Sequence, residues 1–305
     1  MKSFFFKLII FLLLVGGPYY YLQKHFMMRE DPFYWKSTQR ADHLIIGCSR
    51  ACHGIHPSVL KQHLGLSETM VNFAFNVNAS PYGEPYYRAI QRKLTTVPSG
   101  KGIYILSVAP ANVMDFSTGK GEREKSFRFY KLWDMNASPN LEYVFRQPRP
   151  GQALLVNIIE RSVIHEKQEK YALPDGAQYN LGEKTIDNNW RKRLPGNELL
   201  RSASRENYLK RTVALLAARG NVFLVRLPVS ENKINEENHI YPDFDRVMEE
   251  IAISYNNVSY YNYNDTLRTQ YNYYDNIHHL DGESAQLFSR DLARRIASEL
   301  KVNEF

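Results

Sequence analysis

The sequence predicts an α/β protein: a parallel sheet covered by helices on both faces, carrying an inserted cap and preceded by one transmembrane helix. Three observations carry this prediction. Short, unbroken apolar runs alternate with amphipathic ones, the pattern of parallel strands buried on both faces and joined by crossover helices. A stretch at about 112–204 has no clear periodicity, and the chain opens on an apolar segment.

Residues 4–22, FFFKLIIFLLLVGGPYYYL, are apolar except for Lys7. That length approaches the ~20 residues needed to cross a bilayer core. Lys7 lies near one end and can snorkel to the interface, while Tyr19–Tyr21 suit an interfacial aromatic belt. No small-x-small cleavage site follows the run, which favours an uncleaved anchor over a removed signal peptide. Lys2 and Lys7 favour a cytoplasmic N-terminus, although Lys24, His25 and Arg29 pull the other way. The signal-like form of the segment decides for a single-pass N-terminal anchor, with the main domain periplasmic or extracellular.

After a polar juxtamembrane stretch, His43–Gly47 reads as a buried strand followed by a helix around 57–64. Thr69–Phe75 is a second strand, with a helix from about Gly83 to Thr95. Gly102–Val108 is a third strand. A helix at 205–219 leads into a fourth, Asn221–Leu227. A helix at about 243–255 leads into a fifth, Val258–Tyr263, and a last helix covers about 282–300. Structureless loops as long as 112–204 are uncommon, so that stretch is expected to be an inserted cap or subdomain. The expected organisation is thus an anchor at 1–23 and an α/β domain at 24–305 containing the insertion.

Composition narrows the function classes. With 44% hydrophobic and 23% charged residues, the chain can build a sizeable core and is not generally disordered. The net charge of +7 would suit nucleic acid, anionic lipid or an acidic polymer. No dense basic run exceeds Arg191-Lys192-Arg193, and no nucleic-acid motif is present, so nucleic acid is not an expected partner. The 21 Tyr and 16 Phe suit carbohydrate or membrane-interface contacts, though they also fill cores. The only cysteines, Cys48 and Cys52, are too few for a disulfide scaffold and lack partners for a zinc site. They could bridge across one helical turn or remain two buried thiols.

Two segments carry chemistry. The first strand runs into Gly47-Cys48-Ser49-Arg50 with a helix soon after. Ligands of open α/β sheets bind at the carboxyl ends of the strands. A serine there, near a helix N-terminus, has backbone N–H donors available for an oxyanion, or simply caps the turn. Near the C-terminus stands Tyr274-Asp275-Asn276-Ile277-His278-His279-Leu280-Asp281-Gly282-Glu283-Ser284-Ala285. A carboxylate this close to an imidazole can fix its tautomer while the other ring nitrogen serves a nucleophile.

In that chain order, the two segments resemble the SGNH (GDSL-like) hydrolase superfamily. The similarity is to its membrane-anchored branch in polysaccharide acylation, which includes the D-alanyl-transfer protein of teichoic-acid synthesis and alginate O-acetylation proteins. The branch's Gly-x-Ser-Arg is matched by Gly47–Arg50, and its Asp-x-x-His-Leu-Asn-x-x-Gly-Ala is approximated by Asp275–Ala285. The resemblance implies a three-layer, doubly wound, flavodoxin-like sheet over roughly 40–301, with the insertion as a variable cap. It also implies a Ser49 nucleophile, an Asp275 orienting group and a histidine base. Strict Asp-x-x-His spacing selects His278, whereas aligning Leu280 and Ala285 selects His279. Ser284 stands where the family carries glycine.

For the oxyanion, Asn76 or Asn78 after the second strand could supply a side-chain amide, with Asn112 after the third as another candidate. Arg50 could bind an acidic substrate group or pair with a structural carboxylate. The implied activity is serine acyl transfer or ester hydrolysis on O-acyl, chiefly acetyl, groups of a cell-surface or exported polysaccharide. No metal or organic cofactor is required, and a membrane-bound O-acyltransferase is an expected partner. The altered histidine block also admits another class, a catalytically degenerate SGNH-like glycan-binding or assembly protein.

Overall fold

The computed structural model describes residues 2–22, 32–75, 82–94, 100–116, 132–146, 199–265, 270–275 and 277–301. The chain divides into two compact units, Met1–Gln39 with Asp134–Asn180 and Arg40–Trp133 with Leu181–Phe305.

In the first unit, residues 2–22 are not one uninterrupted helix. They form α1 (Lys2–Phe11), a π-helical turn at Leu12–Gly16 and α2 (Gly17–Leu22). No helix among the described residues is long and apolar enough to cross a membrane, so the transmembrane helix expected over 4–22 is not present as a single element. The physical reason lies at Gly16-Gly17-Pro18: two glycines weaken the helix, and Pro18 has no N–H for the hydrogen-bond ladder. Large apolar side chains of this segment are exposed, Phe4, Phe6, Leu13 and Leu14 among them. The unit also holds α3 (Pro32–Thr38) and a helix over Leu141–Arg146. Asn140 Nδ2 donates to the carbonyls of Ser37 (3.1 Å) and Asp134 (2.8 Å), and Tyr34 meets Tyr143 edge-on at 5.5 Å.

The second unit is built on a five-stranded parallel sheet flanked by helices. Its strands are β1 (His43–Ile46), β2 (Met70–Asn72), β3 (Gly102–Ser107), β6 (Gly220–Arg226) and β7 (Val258–Asn262). Their order is β2-β1-β3-β6-β7, all parallel, with Leu44 opposite Val71 and Tyr104, and Tyr104 opposite Val222. Because side chains alternate along a strand, Ile45, Ile105, Phe223 and Val225 face one way and Leu44, Ile46, Leu106 and Leu224 the other. All eight are buried, so both faces are covered. The first set packs with α4 (Ser49–Gly54), α5 (Pro57–Leu64) and the C-terminal helix Gly282–Leu300 through Ala51, Leu60, Leu64, Phe288, Leu292 and Ile296. Among the described residues, the other helices of this unit are α6 (Glu84–Lys93), α8 (Ala203–Ala217), α9 (Glu231–Ile240) and α10 (Phe244–Ile253); the Leu141–Arg146 helix of the first unit is α7 and the C-terminal helix Gly282–Leu300 is α11.

Most of the expected insertion at 112–204 lies outside the described residues. Its two ends meet: β4 (Met114–Phe116) and β5 (Leu199–Arg201) pair antiparallel, and Arg205 of α8 donates to Asp115 at 2.7 Å. The sheet order reverses between β1 and β3, and in such sheets the crevice at the carboxyl ends of the strands receives ligands. Ser49 and the turn Pro110–Asn112 both follow strands at that edge.

Candidate active site

β1 hands the chain to the site through Gly47, whose φ of +149° disfavours any residue with a side chain. A Cβ placed there would lie 2.6 Å from Ser107 Cβ on the neighbouring strand. This close approach brings Ser49 to the first position of α4, with Cys48 as its extended N-cap. The N–H groups of a first helical turn have no partner inside their helix, so those at Ser49 and Arg50 face outward from its N-terminus. Asn72 anchors the far end of this short helix from β2, donating to the carbonyls of Ala51 and Ile55, both at 2.9 Å.

The other half of the site is a closed loop between residues 272 and 281. Asp281 N donates to the Asn272 carbonyl, Tyr274 N to the His279 carbonyl, and Tyr273 bridges Leu280. Asp281 then caps α11 by accepting the Ser284 N–H at 2.8 Å, and Ser284 Oγ accepts the Asn272 N–H. Ser284 thus ties the loop to the helix, a role that glycine could not perform. Inside the loop, Asp275 Oδ1 accepts the backbone N–H groups of Ile277, His278 and His279 at 2.9–3.0 Å. Its other oxygen remains for side chains.

The two halves meet in a serine–histidine–aspartate relay. His279 Nδ1–H donates to Asp275 Oδ2 at 2.7 Å, because a carboxylate can only accept. The lone pair of Nε2 therefore faces Ser49 Oγ, 2.8 Å away, and accepts its hydroxyl proton. Burial opposes ionisation of Asp275, but its bonds from His279 and the loop N–H groups outweigh it and hold the carboxyl well below its ordinary range. Tyr274 stacks parallel on the His279 ring at 5.4 Å, and His53 meets that ring edge-on at 5.6 Å. Ser49 is half-buried and Asp275's side chain is 1% exposed, so the nucleophile is reachable while the orienting acid is sealed.

The other candidates fall elsewhere. His278 is next to the relay, with Nδ1 3.5 Å from Asp275 Oδ2, but that nitrogen has no hydrogen-bond partner among the described residues. Arg50 points into the protein and pairs with Glu237 of α9, which also meets Arg226 of β6 at 3.3 Å. Burial works against the Arg50 charge, yet the Glu237 carboxylate raises its pKa overall. Asn76 and Asn78 lie outside the described residues. Asn112 is buried, and neither atom of its amide has a hydrogen-bond partner among the described residues. Cys48 and Cys52 are free thiols. Sequence reading had no signal for Glu237, the partner of Arg50, nor for the clamp at Asn72. Tyr274 stood in the quoted block without a role.

No family model matches the chain, and no curated protein matches it. Among solved structures, one described as a candidate platelet activating factor from Streptococcus pneumoniae matches over 97% of this chain and 100% of that chain. Its sequence identity is 14% and its TM-score 0.39, too distant to carry an argument.

Proposed function

We propose that this chain is a serine acyl-transfer or ester-hydrolysis enzyme of the SGNH-hydrolase type. Its substrates are O-acyl groups, acetyl above all, of a cell-surface or exported polysaccharide. The observation that carries the reading is Ser49 Oγ at 2.8 Å from His279 Nε2, with Asp275 holding the far ring nitrogen. Nucleophile, base and orienting acid within hydrogen-bond reach is the arrangement covalent serine catalysis needs.

In this mechanism His279 takes the Ser49 proton as Oγ attacks the ester carbonyl. The oxyanion is met by the Ser49 N–H at the start of α4 and by a side-chain amide from Asn76, Asn78 or Asn112. The C–O bond to the alcohol breaks, and His279 returns its proton to the departing alkoxide. Water or a sugar hydroxyl then attacks the acyl-serine, with His279 again as base, and Ser49 is released. Asp275 stays ionised throughout and stabilises the imidazolium.

Placement outside the cytoplasm on a single-pass anchor belongs to the same proposal, as do the doubly wound sheet with a cap and delivery of acyl groups by a membrane-bound O-acyltransferase. The apolar run at 4–22, exposed along its described length, supports the anchor. The test uses the full chain in detergent with an O-acetylated polysaccharide and with small activated acetyl esters. Acetate release, with an acyl adduct on the Ser49 peptide, is expected in the wild type and absent in Ser49→Ala. A folded wild-type chain that turns over no acetyl ester would sink the reading.

A further inference from the structure

The relay leaves His278 without a task. One oxygen of Asp275 and one ring nitrogen each of His278 and His279 lie within 4.8 Å of one another. Asp275 Oδ1 is occupied by three backbone N–H groups, so Oδ2 is the oxygen left to face the Nδ1 atoms of both imidazoles, at 2.7 and 3.5 Å. His278 Nδ1 is buried without a hydrogen-bond partner among the described residues. As a lone pair it would face a carboxylate; as an N–H it points at Asp275 Oδ2, which also accepts from His279, but from 3.5 Å, too far for a good hydrogen bond. Neutral imidazole is the form that binds metals.

We propose that Asp275 Oδ2, His278 Nδ1 and His279 Nδ1 form a site for a borderline divalent transition-metal ion, Zn²⁺ being representative, whose binding switches Ser49 off. Zinc takes nitrogen and oxygen ligands at ~2.0–2.2 Å, which sets tetrahedral ligand atoms ~3.3 Å apart. The distances of 2.7 and 3.5 Å straddle that spacing, and the three ligand atoms all lie within 4.8 Å of one another. Three protein ligands leave the fourth position for water, and carboxylate with imidazole is a donor set that zinc accepts. The Arg50 charge, which acts against a cation here, is already paired with Glu237.

The consequence rests on the acyl-transfer reading; the binding itself does not. A metal on His279 Nδ1 takes the lone pair at that atom, so the single ring proton moves to Nε2 and no proton leaves the protein. Nε2 then presents N–H to Ser49 Oγ instead of a lone pair, and the base is lost.

The test is Zn²⁺ titration by calorimetry of the untagged full chain in detergent, repeated with Co²⁺ for its visible spectrum. The variants are His278→Ala, His278→Phe, which keeps ring volume, and Ser49→Ala; all are checked for folding by circular dichroism. Expected is one ion per chain, bound roughly tenfold or more weakly by both His278 variants and unchanged in Ser49→Ala. Fluorophosphonate labelling of the wild type should fall as zinc saturates and return with a chelator. Absence of binding to the wild type, or an equal isotherm in both His278 variants, overturns the site. Binding as expected, with labelling that zinc does not alter, overturns the switch. Zinc binding in a chain that never labels would instead count against the acyl-transfer reading alone.

Discussion

Gly47 lets β1 deliver Ser49 to the helix start, and it does so in a backbone conformation that a side chain resists. Gly47→Ala adds a methyl 2.6 Å from Ser107 Cβ, at a φ of +149°. Overpacking of this kind costs about 1–3 kcal/mol, with backbone strain of similar size beside it. We expect chemical denaturation to show a loss in that range, and a change under about 0.5 kcal/mol would contradict the crowding argument. Asp275 acts at the same scale. Asp275→Asn keeps the shape but can donate to His279 Nδ1, which reverses the tautomer the base needs. Esterase turnover should fall by roughly 10⁴-fold while substrate binding changes little, and a drop under about tenfold would show that Asp275 does not set the base.

At the scale of elements, α4 and the 272–281 loop hold the nucleophile and the base, and α9 braces them from behind. Glu237 on α9 neutralises both Arg50, which follows the nucleophile, and Arg226, which also pairs with Asp245. Glu237→Gln leaves Arg50 buried without its carboxylate, a loss expected to cost about 3–5 kcal/mol. Adding Arg50→Met should recover much of it, because two buried apolar or neutral groups avoid the orphaned charge; denaturation of the single and double variants checks this. These elements were unequally legible in the sequence. The five strands of the sheet showed as apolar runs; four lie within a residue of their expected spans, while β2 ends three residues before its expected end at Phe75. Helix α9 did not show, because its buried residues are Ile234 and Glu237, leaving no apolar stripe to read. Ser49 and Asp275 were legible from their placement after a strand and before a helix. The choice between His278 and His279 was not, since it depends on a loop whose N–H groups converge on Asp275. The partners of Arg50 and Asn72 are separated from them in sequence, and spacing cannot reveal such pairs.

At the scale of the whole molecule, buried histidines and carboxylates set the response to acid. His43 and His278 are kept neutral chiefly by burial, below the ~6.5 expected in the unfolded chain. A lowered histidine pKa means that the unfolded chain takes up protons first, so their contribution is whole above about pH 6.5 and erodes below it. Asp275 and Glu237 are also lowered, and their contribution is lost only as pH falls through and below the ordinary carboxylate range, about 4. Melting temperature should therefore decline from about pH 8 to about pH 5, then more steeply in stronger acid. His278→Phe should flatten the first stage, and a melting temperature that rises between those two pH values would contradict the assignment.

The central claim is that Ser49 is an activated nucleophile. Intact-mass labelling of the full chain with a fluorophosphonate, run beside Ser49→Ala and His279→Ala, tests it most directly. The account predicts one adduct per wild-type chain and none in either variant. Equal absence of labelling in a folded wild type would contradict it and point to a domain that binds glycan without acylating itself.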